Sequence, residues 1–104
     1  MDLELLRREV PRRLREALGD RYRGTVLYGS RARGDASPES DIDLLVLVDD
    51  AGDLSRDVDV IVHALYPLQL EIDAPIHSLP ARLSSYQAGT YGLYRNAKDE
   101  GIPL

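Results

Sequence analysis

Leu3, Leu6, Val10, Leu14 and Leu18 recur at three- and four-residue spacing, with Arg7, Arg8, Arg12 and Arg13 elsewhere on the wheel. That period predicts an amphipathic helix over residues 2–18. Gly19 suits its end, and Pro11 within the pattern predicts a kink or a break into two shorter pieces. Residues 24–29 (Gly-Thr-Val-Leu-Tyr-Gly) are short, β-rich and stopped by glycine, which predicts a buried strand running into a turn. Residues 30–40 read as loop, with one helical turn at Ser30-Arg-Ala-Arg before Gly34, Asp35, Ser37 and Pro38. The segment Asp41-Ile-Asp-Leu-Leu-Val-Leu-Val48 begins with alternation and becomes continuously apolar, as in a central strand whose first residues emerge at the sheet edge.

After the turn at 49–52, Leu54, Val58, Ile61 and Leu65 repeat with helical spacing behind an Asp53 N-cap, and Pro67 closes that helix. Residues 68–77 alternate well enough to predict a third strand, with Glu71 and Asp73 on one face and Leu70 and Ile72 on the other. Pro75 suggests that its ladder is open on one side. From Pro80 the pattern predicts a helix to about Ala88, a break at Gly89-Thr90 and a second short helix ending near Gly101. The expected architecture is α+β: a small mixed sheet of three or four strands, helices mainly on one face, and functional groups at the exposed end.

Length and composition narrow the function. The 104 residues fit one domain spanning 1–104, and the absence of cysteine excludes a disulfide scaffold, a thiolate metal site and a cysteine nucleophile. With no apolar signal core and no run of about 18 apolar residues, a cytoplasmic, membrane-free protein is expected. Net charge is −5, yet residues 1–33 carry nine Arg against five Asp or Glu, while residues 34–104 carry four basic against thirteen acidic side chains. The acidic whole argues against sequence-independent nucleic-acid binding but permits a local phosphate pocket.

The candidate chemistry lies in Gly29-Ser30, ten intervening residues, then Asp41-x-Asp43. A glycine at a strand end lets backbone amides approach a phosphate, and the serine adds a hydroxyl beside them. Two aspartates one residue apart on a strand leave the same face and suit one hard cation such as magnesium, which keeps waters and nucleotide phosphates in its shell. Alone, the first half fits an ordinary turn and the second a solvated strand start. Their spacing between two apolar strands favours a phosphate-and-metal site. Arg31 and Arg33 lie beside it as candidate phosphate contacts. His63 and His77 lack a second ligand at metal spacing and read as structural or exposed. Tyr28 and Tyr66 occupy apolar positions, and Tyr86, Tyr91 and Tyr94 cluster as a helix-pair core or a partner patch.

The stretch from Thr25 to Val48, TVLYGSRARGDASPESDIDLLVLV, resembles the minimal stand-alone branch of the DNA-polymerase-β-like nucleotidyltransferase superfamily. The resemblance implies that Gly29 and Ser30 hold nucleotide phosphates with Arg31 beside them. It also implies that Asp41 and Asp43 ligate two Mg2+ ions, and that a third carboxylate on a neighbouring strand completes the metal site and helps deprotonate the attacking hydroxyl. Asp73 is the candidate for that third group, with Glu71 as its alternative. Minimal members of this kind are commonly partnered by HEPN-type ribonuclease toxins. By resemblance, ATP would then be the substrate and a toxin tyrosine the acceptor of AMP, in a homo- or hetero-oligomer that completes the acceptor side. Two other readings stay open: a non-catalytic antitoxin that occludes the toxin, and transfer to a nucleic acid or small molecule.

Overall fold

In helix α1 (Leu3–Leu18), Leu6, Val10 and Leu14 stand one turn apart and all three are buried. The helix is continuous across Pro11. Proline removes the bond to the carbonyl of Arg7, which lies on the exposed side where water can serve that group. A computed structural model describes residues 3–34 and 40–104, so the expectations for Asp35, Ser37, Pro38 and Glu39 fall outside the described residues. After a 3-10 turn at Gly19–Arg21 come β1 (Tyr22–Tyr28), the one-turn α2 (Ser30–Arg33), β2 (Ile42–Val48) and α3 (Leu54–Ile72). They are followed by β3 (Ile76–Arg82), α4 (Leu83–Ala88), α5 (Gly92–Glu100) and β4 (Ile102–Pro103).

The four strands form one mixed sheet in the order β3-β2-β1-β4, with β2 antiparallel to β1 and parallel to β3. Strand alternation then sorts β2 between two cores. Ile42, Leu44, Val46 and Val48 pack with Leu6, Val10 and Leu14 of α1 and with Ile61, Leu65 and Leu68 of α3. Leu45 and Leu47 face the other way, toward Val26, Ala81 and Ala97 of α5, with Tyr28, Leu79, Tyr86 and Tyr94 around them. The two long helices thus cover one face, while the short α4 and α5 cover part of the second. This is the expected α+β arrangement.

Several sequence expectations fail between residues 57 and 82. Helix α3 does not stop at Pro67 but runs through it to Ile72. Its apolar positions Ile61, Leu65, Leu68 and Ile72 continue a four-three-four stripe onto the main core. Burial of that stripe outweighs the cost of an interior proline, about 3 kcal/mol. The third strand is therefore β3 at 76–82 rather than 68–77, and Pro80 lies within it rather than opening a helix. Within α3, Asp57 takes the buried position while Val58 is left outside. With Val62, Tyr66 and Leu70 it forms an exposed apolar row at four-residue spacing, so the apolar position of Tyr66 faces out of the core.

Asp57 is tolerated inside because Arg21 meets it. The guanidinium donates to Asp57 Oδ1 and Oδ2 at 2.6 and 3.0 Å, to Asp49 Oδ1 at 3.0 Å and to the carbonyl of Ala51 at 2.7 Å. One side chain thereby joins the start of β1, the end of β2 and the first turn of α3. Gly52 makes room for it: a Cβ there would lie 2.6 Å from Arg21 Cζ. At the helix start, Asp53 caps α3 as expected, accepting from the backbone N–H of Ser55 at 2.9 Å.

Candidate nucleotide and metal site

Strand β1 ends at Tyr28, and Gly29 turns the chain with φ 77° and ψ −158°, a conformation that side chains other than glycine rarely adopt. Its carbonyl accepts from the N–H groups of Ala32 and Arg33 at 3.1 and 3.2 Å, which fixes the single turn of α2 with Ser30 at its head. The antiparallel register sets Tyr28 opposite Asp43, and the parallel register sets His77 on the other side of Asp43. Tyr28, Asp43 and His77 thus form a row across one end of the sheet, on the face that α4 and α5 leave open there. Asp41 sits exposed two positions before Asp43, just ahead of β2.

Gly29 is required sterically as well as conformationally. A Cβ at this position would come 2.5 Å from Asp43 Oδ2, so the carboxylate lies directly against the turn that precedes Ser30. Burial pushes the Asp43 carboxyl above the usual aspartate range; His77 opposes the shift and the negative charge of Asp41 adds to it. The His77 ring nitrogen Nδ1 lies 3.6 Å from Asp43 Oδ1. Burial likewise raises the Tyr28 phenol, with the nearby Asp43 charge contributing.

The structure brings together Gly29, Ser30, Asp41 and Asp43 at one end of the sheet, but treats the other candidates differently. Arg31 turns back to the carbonyl of Ser40, donating through Nε at 3.0 Å, and so ties together the two ends of the intervening segment. Arg33 reaches Glu100 at 3.8 Å and also lends positive potential to Asp43. Neither Glu71 nor Asp73 lies on a strand beside Asp43. Glu71 is on α3, 3.5 Å from Arg13, and Asp73 closes α3 in the left-handed conformation with φ 53°. The choice of Asp73 as third carboxylate assumed a strand over 68–77, and that premise fails with the extension of α3. The place beside Asp43 on the third strand belongs to His77, which the sequence reads as structural or exposed for want of a second ligand at metal spacing.

Chemically, Asp41 and Asp43 offer hard oxygen donors to a divalent cation next to a turn that a phosphate can approach closely. Among the described residues no three His, Cys, Asp or Glu side chains stand together as a metal site. A cation held here would therefore draw the rest of its shell from phosphate oxygens and water, as magnesium does at nucleotide sites.

Residues 11–79 match the family described as nucleotidyltransferase domain. The chain belongs to that family. The match takes in both halves of the site, from the β1 turn to the His77 position. Solved structures with the same nucleotidyltransferase fold include a toxin-antitoxin crystal structure with AMP-PNP, similar over 90% of this chain and 68% of that one at 18% identity, TM-score 0.61. A mutant of the MntA–HpeT toxin-antitoxin pair aligns over 89% and 68% at 16% identity, TM-score 0.60. A protein described as a candidate minimal nucleotidyltransferase aligns over 100% of this chain and 97% of its own at 25% identity, TM-score 0.62. No curated protein sequence matches the chain.

Proposed function

We propose that this nucleotidyltransferase transfers AMP from ATP to a hydroxyl of a protein partner, a tyrosine of a HEPN-type toxin, and so acts as an antitoxin. The observation that carries the site is the contact between Gly29 and Asp43: the turn that can cradle phosphate has no side chain where the carboxylate lies. In this reading Gly29 admits the triphosphate to backbone distance and Ser30 adds its hydroxyl. Asp41 and Asp43 hold Mg2+. When bound, the ion neutralises phosphate charge and favours departure of pyrophosphate. The acceptor oxygen forms a bond to the α-phosphorus as the bond to the β-phosphate bridge breaks, and the hydroxyl proton passes to solvent. The partner is supported by the toxin-antitoxin neighbours and by the exposed row Val58, Val62, Tyr66 and Leu70, an apolar surface of the kind protein partners cover.

A second reading has its own observation. Strand β3 (Ile-His-Ser-Leu-Pro-Ala-Arg) carries no carboxylate to accept that proton, which favours an antitoxin that binds nucleotide and neutralises its toxin by occlusion. Incubation of the chain with radiolabelled ATP, Mg2+ and a cognate HEPN toxin separates the two. Label on the toxin, absent with the D41A/D43A double variant, is expected. Transfer retained by that variant would sink the assigned metal site, and neutralisation without label would move the function to occlusion.

A further inference from the structure

We infer that the exposed apolar row of α3 seats an amphipathic helix of the acceptor protein, one with an apolar stripe and basic residues beside it, and so leads that protein toward the nucleotide end of the sheet. The inference rests on the protein-acceptor reading above and gives that acceptor a docking surface and a chemistry.

Two long helices cover the same face of the sheet, but they meet water differently. Helix α1 turns Arg8, Arg12 and Arg15 outward. Helix α3 instead exposes Val58, Val62, Tyr66 and Leu70, and exposure rises along that row from 38% at Val58 to 63% at Leu70. Residues four apart form a ridge, and such a ridge packs into the groove of a second helix. An added strand is a poorer occupant of this side. On the edge strand β3, Gln69 already accepts from the N–H of Ile76 at 2.9 Å, and Pro80 has no N–H to offer.

Charge selects the partner. The α3 carboxylates away from the row are matched within the chain, Asp57 by Arg21 and Glu71 by Arg13. Asp59 stands three residues before Val62 and Asp73 three after Leu70, both beside the row and both exposed. Among the described residues no salt bridge meets either of them. Arg56, the one arginine of the helix, precedes Val58 by two residues and so points about 160° around the axis from it. A second copy docked row to row would set these aspartates against the same aspartates, in a chain whose net charge is already −5. Basic residues beside an apolar stripe meet them without that repulsion.

The row also has a direction. Helix α3 ends at Ile72, and β3 begins at Ile76, directly beside Ile42 and one position from Asp43. Leu70, the most exposed member, therefore stands toward the end of the sheet that holds Asp41 and Asp43. A helix lying along α3 brings its own end there.

The test is calorimetric titration of the full chain with the cognate HEPN toxin, followed by labelling of that toxin from radiolabelled ATP and Mg2+. V62S/L70S should weaken toxin binding by about tenfold and raise the KM for toxin with little change in kcat, while Mg-ATP binding stays as it is. D59N/D73N, in which asparagine keeps the left-handed turn at 73, should weaken toxin binding less and flatten its loss with added salt. R8Q, on the outer face of α1, should bind toxin as the unmodified chain does. Unchanged toxin binding in V62S/L70S would overturn the inference, and label on the toxin in that variant would leave the transfer reading standing. A chain that sediments alone as a dimer, and as a monomer in V62S/L70S, would overturn it in favour of a second copy. Toxin binding that V62S/L70S weakens, with no label in any form, would keep the docking surface and sink the transfer. No toxin binding by the unmodified chain would overturn both.

Discussion

Strand β2 has an aspartate near each end, and the two ends treat it in opposite ways. Asp49, just beyond the strand, shares the Arg21 guanidinium with the buried Asp57. Asp43, near the start, has Asp41 on one side in sequence and burial around it, and its carboxyl is pushed toward the neutral form. At the closed end, that of Asp49, one guanidinium holds both carboxylates by direct hydrogen bonds. The other, the open end, sets the Asp43 carboxylate against the Gly29 turn, with His77 Nδ1 3.6 Å away in place of a guanidinium clasp. The difference separates a carboxylate clasped into the fold from one that the proposed function assigns to a ligand, although both read as acidic residues bordering an apolar strand.

The contrast can be broken most severely at the closed end. Replacing Arg21 with methionine (R21M) strands Asp57 without a partner and should cost about 3 kcal/mol of unfolding free energy. Denaturant unfolding would check this, and a loss below about 0.5 kcal/mol would mean that Asp57 finds water instead. At the open end, G29A forces a side chain into a left-handed turn and against Asp43 Oδ2. It should cost about 1–3 kcal/mol of stability and weaken Mg-ATP binding, measured by calorimetry, by more than it disturbs any other property. Unaltered affinity would detach the turn from the phosphate. The smallest effect is expected from D43N. Burial holds Asp43 above its ordinary value of 3.8, so ionising it costs stability as pH rises from that value through the raised one. The asparagine variant escapes that loss. Its melting temperature should equal or exceed that of the unmodified chain at neutral pH and the two should converge in acid, while metal-dependent nucleotide binding falls. A D43N variant less stable at neutral pH would show that Asp43 is a structural residue.

Much of this was legible in the sequence where local signals agreed. The Leu6, Val10, Leu14 stripe, the apolar run of β2, the Asp53 cap and the spacing from Gly29-Ser30 to Asp41-x-Asp43 each rest on residues close together in the chain. The Tyr86, Tyr91 and Tyr94 cluster also stands, with Tyr91 and Tyr94 edge to face at 5.1 Å. The failure lay where two periods overlap. Leu68, Leu70 and Ile72 alternate like a strand, yet Leu68 and Ile72 also complete a helical stripe that begins at Ile61, and tertiary burial decided for the helix. Pro67 and Pro80 then pointed the wrong way together, one seeming to end a helix and the other to begin one. His77 could not be found while β3 was misplaced, because its nearness to Asp43 is a matter of strand register. The Arg21 clasp was equally hidden, since its partners are brought together by the β1–β2 pairing and the first turn of α3.

Strand β4 is only two residues long, yet it pairs with Val26 and Leu27, and Leu104 adds a backbone bond to the carbonyl of Thr25 at 2.9 Å. During synthesis that edge of β1 stays open until β2, α3, β3, α4 and α5 have all left the ribosome. An unpaired edge is a template for pairing with other chains, and a nascent chain is most exposed to aggregation while such edges wait. The shortest strand of the sheet therefore sets how long the growing polypeptide stays vulnerable.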